Sequence, residues 1–307
     1  MIDGIAGLKG ALGYVRAYRG KTFVIKAGGE VSADGRARHA LAVQIGLLHS
    51  LGIRCVLVHG GGPQATALAR RLGTPPTIVA GRRVTDDAQL EIAKMTFAGS
   101  VNVDLLAALR QSHVAAVGLT GVDAELLTAS RRPPREVRDD EGATRLVDFG
   151  HVGEIERVDV TVLETLLAAG FVPVVSSLAG DGDGNVYNVN ADTVAEKLAI
   201  ALAAAKLLVL TGAPGVLRDP KDPSTVVSFA DGSELAALVE SGAISGGMRP
   251  KVEACLRAAE GGVERTHILD GRTPDALLLE VFTGAGCGTM IVRGKDKEAY
   301  ADAELAG

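Results

Sequence analysis

The chain has 307 residues, 47% of them hydrophobic, enough for a large core in one two-lobed domain or two modest ones. A formal net charge of -5 gives no basic face of the kind that binding a phosphate backbone demands, so nucleic acid is not an expected partner. The 3 cysteines, Cys55, Cys255 and Cys287, show neither metal nor redox spacing, and no cationic leader or membrane-length apolar stretch is read, which predicts a cytoplasmic protein without membrane contact.

From the N-terminus, Ile5, Leu8, Leu12 and Val15 fall on one stripe of a helix over 2–18. Such a helix either packs on its own domain or is exchanged between subunits. Short Val- and Ile-rich runs then alternate with longer segments of helical period. Strands are predicted at 22–26, 53–58, 114–119, 172–177, 206–211, 265–269 and 288–292. Helices are predicted at 37–51, 63–72, 87–110, 159–169, 191–204, 231–241, 248–260 and 274–281, several of them behind a Ser, Thr, Asp or Asn cap. This alternation is α/β organisation around a mostly parallel sheet. Around 123–150 the helical period disappears, and Arg131-Arg132-Pro133-Pro134 with Asp139-Asp140-Glu141-Gly142 predicts a mobile hairpin whose charges are solvated surface. The division read here is an N-terminal interaction helix at 1–20, one lobe at 21–175 and a second at 176–307.

Three predicted strands end in glycines: Lys26-Ala27-Gly28-Gly29, His59-Gly60-Gly61-Gly62 and Thr211-Gly212-Ala213-Pro214-Gly215. In a parallel sheet these strand ends collect backbone N–H groups and helix N-termini around one crevice, which suits phosphate oxygens. Neither Gly-x-Gly-x-x-Gly nor the Gly-x-x-x-x-Gly-Lys-Ser/Thr loop occurs, which argues against a dinucleotide-dependent hydride-transfer enzyme. Phosphoryl transfer needs fixed cations and amide donors, and Lys26 and Lys251 stand at turns where they could serve. In Asn188-Val189-Asn190-Ala191-Asp192, helix capping accounts for one polar residue, not three. His39, His49 and His113 read as plain surface or core, and no His/Cys cluster argues for a protein-held metal.

These motifs, together with Gly81-Arg82-Arg83-Val84-Thr85-Asp86 and Gly246-Gly247-Met248-Arg249-Pro250-Lys251, resemble the amino acid kinase family in order and spacing from about residue 10 to 293. The closest likeness is to its branch that phosphorylates the side-chain carboxylate of N-acetyl-L-glutamate. The resemblance implies a three-layer αβα sandwich, with the acylated amino acid in the first lobe and ATP, carrying Mg²⁺, in the second. It also implies Lys26, Lys251 and Asp192 as catalytic residues, and Gly61, Gly62, Arg83, Asn188 and Asn190 around the substrate. Gly28, Gly29 and Gly60 would meet the phosphoryl group, and Thr211, Gly212, Gly215 and Gly247 the nucleotide. On this reading the glycines at 60–62 are bare so that amides can reach between two anions, and a side chain at Gly61 would block the line of attack without disturbing the fold. The chain departs from the family at Gly212, commonly Asp, at Ala27, commonly larger, and at Glu30, commonly neutral. Glu30 is expected to point outward or to pair with a cation.

The segment at 14–21 and the stretch His267-Ile268-Leu269-Asp270-Gly271-Arg272 resemble the arginine-inhibited hexameric branch. That likeness implies L-arginine as an inhibitor, effector contacts at Tyr14, His267, Glu280 and Gly286, and assembly as a homodimer or hexamer. Two alternatives stay open: a kinase for an N-acyl-2-aminoadipate, and an arginine-binding homologue without catalysis.

Overall fold

The computed structural model describes residues 4–79, 82–138, 144–284 and 286–294, with the side chains of residues 4–9 and 138 excepted. Gly81, the acidic run at 139–142, the side chains of Ile5 and Leu8, and the two chain ends of the sequence reading lie outside what is described.

Eight strands form the central sheet: β1 (Thr22–Ala27), β2 (Arg54–His59), β3 (Ala116–Thr120), β4 (Val172–Ser176), β5 (Lys206–Thr211), β6 (Phe229–Ala230), β7 (Arg265–Asp270) and β8 (Thr289–Ile291). Their order is β6-β8-β7-β5-β1-β2-β4-β3. All pairings are parallel except β7 with β8. The central strands are apolar throughout because both faces are covered, so alternate residues feed two separate cores. Val24, Val56, Val58, Val175, Leu207 and Val209 pack on one side with Val194 and Leu198 of α7 (Ala191–Ala201) and Val252 and Cys255 of α9 (Met248–Glu260). Phe23, Ile25, Leu57, Val174, Leu208 and Leu210 face the other way, toward α3 (Gly35–Ser50), α5 (Asp87–Gln111) and α10 (Ala276–Phe282). The result is the αβα sandwich that the resemblance implies.

The remaining helices are α1 (Gly4–Tyr18), α2 (Gly29–Ala33), α4 (Gly62–Arg71), α6 (Thr161–Ala168) and α8 (Gly232–Glu240). All seven expected sheet strands are present, displaced by at most two residues at an end, and β6 joins them. A four-stranded side sheet runs in the order Val186–Asn188, Leu178–Gly180, Leu127–Arg131 and Gly153–Val158. The hairpin expected at 123–150 exists between Arg135–Arg138 and Thr144–Val147, but Leu127–Arg131 belongs to the side sheet instead. A two-residue pairing, Ile78–Val79 with Arg82–Arg83, also escaped the sequence reading.

Two further expectations change. Helix α5 is one continuous helix whose centre, Lys94–Val101, is π-helical. By length and composition it is long and apolar enough to cross a membrane, contrary to the sequence reading. In this fold it is a core helix, with Phe97, Val101, Leu105 and Leu109 buried. The predicted stripe of α1 is not the face that packs: Leu12 is 43% exposed, and it is Tyr14 and buried Tyr18, outside the stripe, that join the core around α3 and α10. Tyr18 meets Phe23 edge-on at 5.2 Å, so at least this part of the helix covers its own sheet.

Candidate active site

Strand β1 lies between β5 and β2, where the strand order departs in both directions, and ligands of open α/β sheets collect at the carboxyl ends of such strands. Lys26 occupies the same face of β1 as Val24, so its side chain is directed under α7 rather than into solvent. There its Nζ lies 2.8 Å from Asp192 Oδ1, and both side chains are buried. From the first turn of α9, Lys251 Nζ approaches Asp192 Oδ2 at 3.3 Å and also donates to the Gly247 carbonyl at 3.1 Å. Burial disfavours charge on Asp192, but the two ammonium groups outweigh it and hold the carboxyl below its usual range.

The glycine turns close around this trio. Gly60 sits beside Ala191, and Gly28 beside Leu210 and Thr211. Helices α2, α4 and α9 open behind Gly28, Gly61 and Gly247 with no side-chain cap, which leaves first-turn amides of α2 and α4 for an anion; in α9 the Met248 amide already bonds the Ser245 carbonyl and Pro250 has no N–H, so Arg249 alone of its first three residues keeps a free donor. By contrast, α3 and α8 are capped by Asp34 and Asp231, and α5 by Asp86. Asn190 is the cap of α7: its Oδ1 accepts from Asp192 N at 2.7 Å, so only its amide nitrogen remains for a ligand.

The reason for the bare glycines differs from the one expected. A Cβ on Gly61 would lie 2.6 Å from the Phe97 ring, on Gly29 2.5 Å from Pro63, and on Gly28 2.8 Å from the Leu210 carbonyl. These positions are glycine because the chain packs against itself there, so a side chain at Gly61 disturbs the fold before it can meet an attacking group. Only Gly62 of the triple glycine has open space in the Cβ direction. Gly215 is similarly backed against Thr289 and Val226.

His59 fixes the second turn. Its Nδ1–H donates to the Gly60 carbonyl at 2.7 Å, and Nε2 accepts from Asn102 Nδ2 at 3.0 Å, which sets the tautomer. Burial pushes this imidazole down to about 4. Arg83 reaches the same wall: one nitrogen bonds the Gly62 carbonyl at 3.0 Å and Thr66 at 2.6 Å, the other Gln89 at 2.8 Å. Half-buried, it faces no carboxylate within ion-pair distance among the described residues. Asn188 is tied to Thr85 at 3.1 Å. On the other flank Arg272, paired with Asp270 at 2.9 Å, donates to the Gly212 carbonyl. Glu30 is exposed, as one of the two expectations had it; its charge acts weakly on Arg272, with no ion pair between them. His59 was read from sequence only as the head of its glycine turn, and Asn102, Thr66 and Gln89 were not singled out; the available signal for these three was a polar residue recurring at inward positions of α4 and α5.

A model of the amino acid kinase family matches residues 21–270. The chain belongs to the amino acid kinase family. Among relatives of known name, an acetylglutamate kinase of Myxococcus xanthus (strain DK1622) is 50% identical over 293 residues, covering 95% of each chain. Among solved structures, an N-acetylglutamate synthase of Neisseria gonorrhoeae complexed with coenzyme A and N-acetyl-glutamate superposes with a TM-score of 0.80 at 33% identity over 95% of this chain. This chain spans 64% of that synthase's length. A second structure of an N-acetylglutamate synthase from that organism, complexed with coenzyme A and L-arginine, gives a TM-score of 0.79 at 27% identity, covering 98% of this chain and 70% of the other.

In this amino acid kinase the four residues expected at an effector site lie in one neighbourhood, and two of them are buried. His267 Nδ1–H donates to Glu280 Oε1 at 2.6 Å, and Glu280 Oε2 accepts from Cys287 N at 2.7 Å. Gly286, at a φ of 59°, holds its backbone beside that carboxylate, and the Tyr14 hydroxyl comes close to Gly284. Lys206, unnoticed in the sequence as the first residue of a strand, completes the group with Nζ 3.0 Å from His267 Nε2 and 5.3 Å from the centre of the Tyr18 ring. Burial pushes Lys206 down to about 7 and His267 to about 4; burial opposes the Glu280 charge, yet the His267 hydrogen bond brings it to about 2.

Two outcomes follow from these contacts. Gly61→Ala costs about 1–3 kcal/mol by overpacking against Phe97, and the cost shrinks in a Phe97→Ala background; an equal loss in both backgrounds, measured by urea unfolding, would contradict the contact. Because Lys206 binds its proton less tightly folded than unfolded, its penalty applies near neutral pH and is relieved as pH rises toward the ordinary lysine value. The unfolding free energy therefore climbs from about pH 7 to about pH 9 more steeply for the wild type than for Lys206→Met.

Proposed function

We propose that this chain transfers the γ-phosphoryl group of ATP to the side-chain carboxylate of N-acetyl-L-glutamate, giving an acyl phosphate and ADP. The observation that carries the reading is the buried Asp192 shared by Lys26 and Lys251 at the meeting point of the glycine turns. The named relative at 50% identity supports the choice of acceptor.

A carboxylate oxygen attacks the terminal phosphorus as the bond to the ADP oxygen breaks. The nucleophile is already an anion, so no proton has to be removed. Asp192 suits that requirement: held charged by two ammonium groups, it is a poor base and serves to fix their positions. Lys26 and Lys251 then face the charge that spreads over the phosphoryl oxygens, with amides at Gly28, Gly29 and Gly60 beside them. Arg83, free of a carboxylate partner among the described residues, takes the acceptor's α-carboxylate, with Gly61, Gly62, Asn188 and Asn190 around the rest. Thr211, Gly212, Gly215 and Gly247 line the nucleotide side. The acceptor belongs to the lobe at 21–175 and ATP to that at 176–307.

Mg²⁺ bound to ATP neutralises phosphate charge. Among the described residues no three His, Cys, Asp or Glu side chains gather, and Asp192 is committed to lysines, so the donors present suit an ion carried by the nucleotide. L-arginine is the proposed inhibitor, acting through Tyr14, His267, Glu280 and Gly286, with Leu12 on the exposed face of α1 available to a second subunit in a dimer or hexamer. Three unpaired cysteines, two of them buried, agree with a cytoplasmic setting.

The test is ADP release with MgATP and, in turn, N-acetyl-L-glutamate, N-acetyl-L-2-aminoadipate, free glutamate and aspartate, each with and without L-arginine. The expected result is N-acetyl-L-glutamate well ahead and slowed by arginine; equal or faster turnover of the aminoadipate derivative would reassign the acceptor. Lys251→Ala is expected to lower kcat by at least about 100-fold, the scale of losing a preorganised donor.

A further inference from the structure

The stretch Arg131-Arg132-Pro133-Pro134, solvated surface on the sequence reading, borders a hollow of about 380 Å³ that includes no residue of the Lys26, Asp192 and Lys251 trio. Its walls are the link into the Arg135–Arg138 strand, the side-sheet strand Gly153–Val158, and the faces of α7 and α9 that carry Glu196, Lys197 and Arg257. Its volume lies in the range of small-molecule sites. Two carboxylates and four cations line it, and both carboxylates are already engaged. Glu154 Oε1 accepts from Arg132 Nε at 3.1 Å and from Arg135 Nη2 at 2.6 Å. Glu196, whose side chain is 1% exposed, accepts two bonds from Arg257 at 2.9 and 2.8 Å, with Lys197 Nζ 3.8 Å away.

The cations outnumber what the carboxylates can offset. Arg132 is half-buried, its two terminal nitrogens bond nothing among the described residues, and Arg135 and Arg82 press on it as like charges. Glu154 offsets only part of this, because Arg132 shares its carboxylate with Arg135; burial of a guanidinium with half a partner is unfavourable, and a second anion would relieve it. The two prolines between Arg132 and Arg135 fix φ at successive residues, so the guanidinium pair is held ready rather than gathered by the ligand. We propose that this hollow binds a compact organic dianion, with its phosphate or carboxylate groups held by Arg132, Arg135 and Lys197. Planar guanidinium groups bind either oxyanion in bidentate fashion.

The site is tested by calorimetric titration of the full chain with pyrophosphate and, separately, with succinate, after the crevice has been filled with a non-hydrolysable ATP analogue premixed with equimolar magnesium. One anion is expected to bind per chain, at least 10-fold more weakly in Arg132→Ala, in Arg135→Ala and in Lys197→Ala. The better-bound probe identifies the oxyanion, and either one supports the site. Because Arg135 is exposed and Lys197 partly so, their variants keep the test valid if Arg132→Ala melts early. Absence of binding by both probes, or equal affinity in the Arg135→Ala and Lys197→Ala variants, overturns the proposal. ADP release by the same variants is measured in parallel, so failure here is distinct from failure of the kinase reading.

Discussion

A single carboxylate divided between two ammonium groups organises this molecule. Charges taken out of water are tolerable only with a partner at hand, and removing Asp192 leaves both ammonium groups uncompensated at once. Asp192 ties the central strand, through Lys26, to two helices, its own α7 and, through Lys251, α9. The same arrangement accounts for a lysine inside a strand whose other inner positions are apolar. With two positive charges to one negative, the trio keeps a local excess of positive charge in a sheltered place, where it acts strongly on an arriving anion.

The chain's polar resources are distributed to match. Aspartates satisfy the first-turn amides of α3, α5 and α8, while α2 and α4 begin on glycine with theirs unclaimed by any side chain. A side-chain cap would stabilise a helix by about 1 kcal/mol, and doing without it leaves donors for another group. The glycines at 28, 29 and 61 then have a second duty, since neighbouring backbone, proline and phenylalanine atoms occupy the space a Cβ would need. The proposed binding role and close packing thus fall on the same residues.

Much of this was legible in the sequence because the large sheet is buried on both faces. Unbroken runs such as Phe23-Val24-Ile25 or Leu207-Leu208-Val209 carry a strong signal, and a lysine ending such a run is conspicuous. The side sheet was not legible: strands of three residues, as at Leu178–Gly180 and Val186–Asn188, are too short for alternation to be read, and their partners are half-polar. Lys206 escaped because a lysine at a strand's first residue normally marks the surface, and only the arrival of Tyr18 and His267 buries it. The reason for Gly61 depends on Phe97, thirty-six positions along the chain, where the π-helical stretch of α5 shifts the residues' facing. No local pattern contains that contact.

The imidazole beneath the triple glycine shows how such a wall keeps its character. His59 stays neutral across the range in which most histidines titrate because burial opposes its charge, and a second proton on Nε2 would face the Asn102 amide from which it now accepts. The dipoles lining that side of the crevice therefore rest on an electrically silent support, and their pull on an incoming anion does not vary with the acidity of the surroundings on its account.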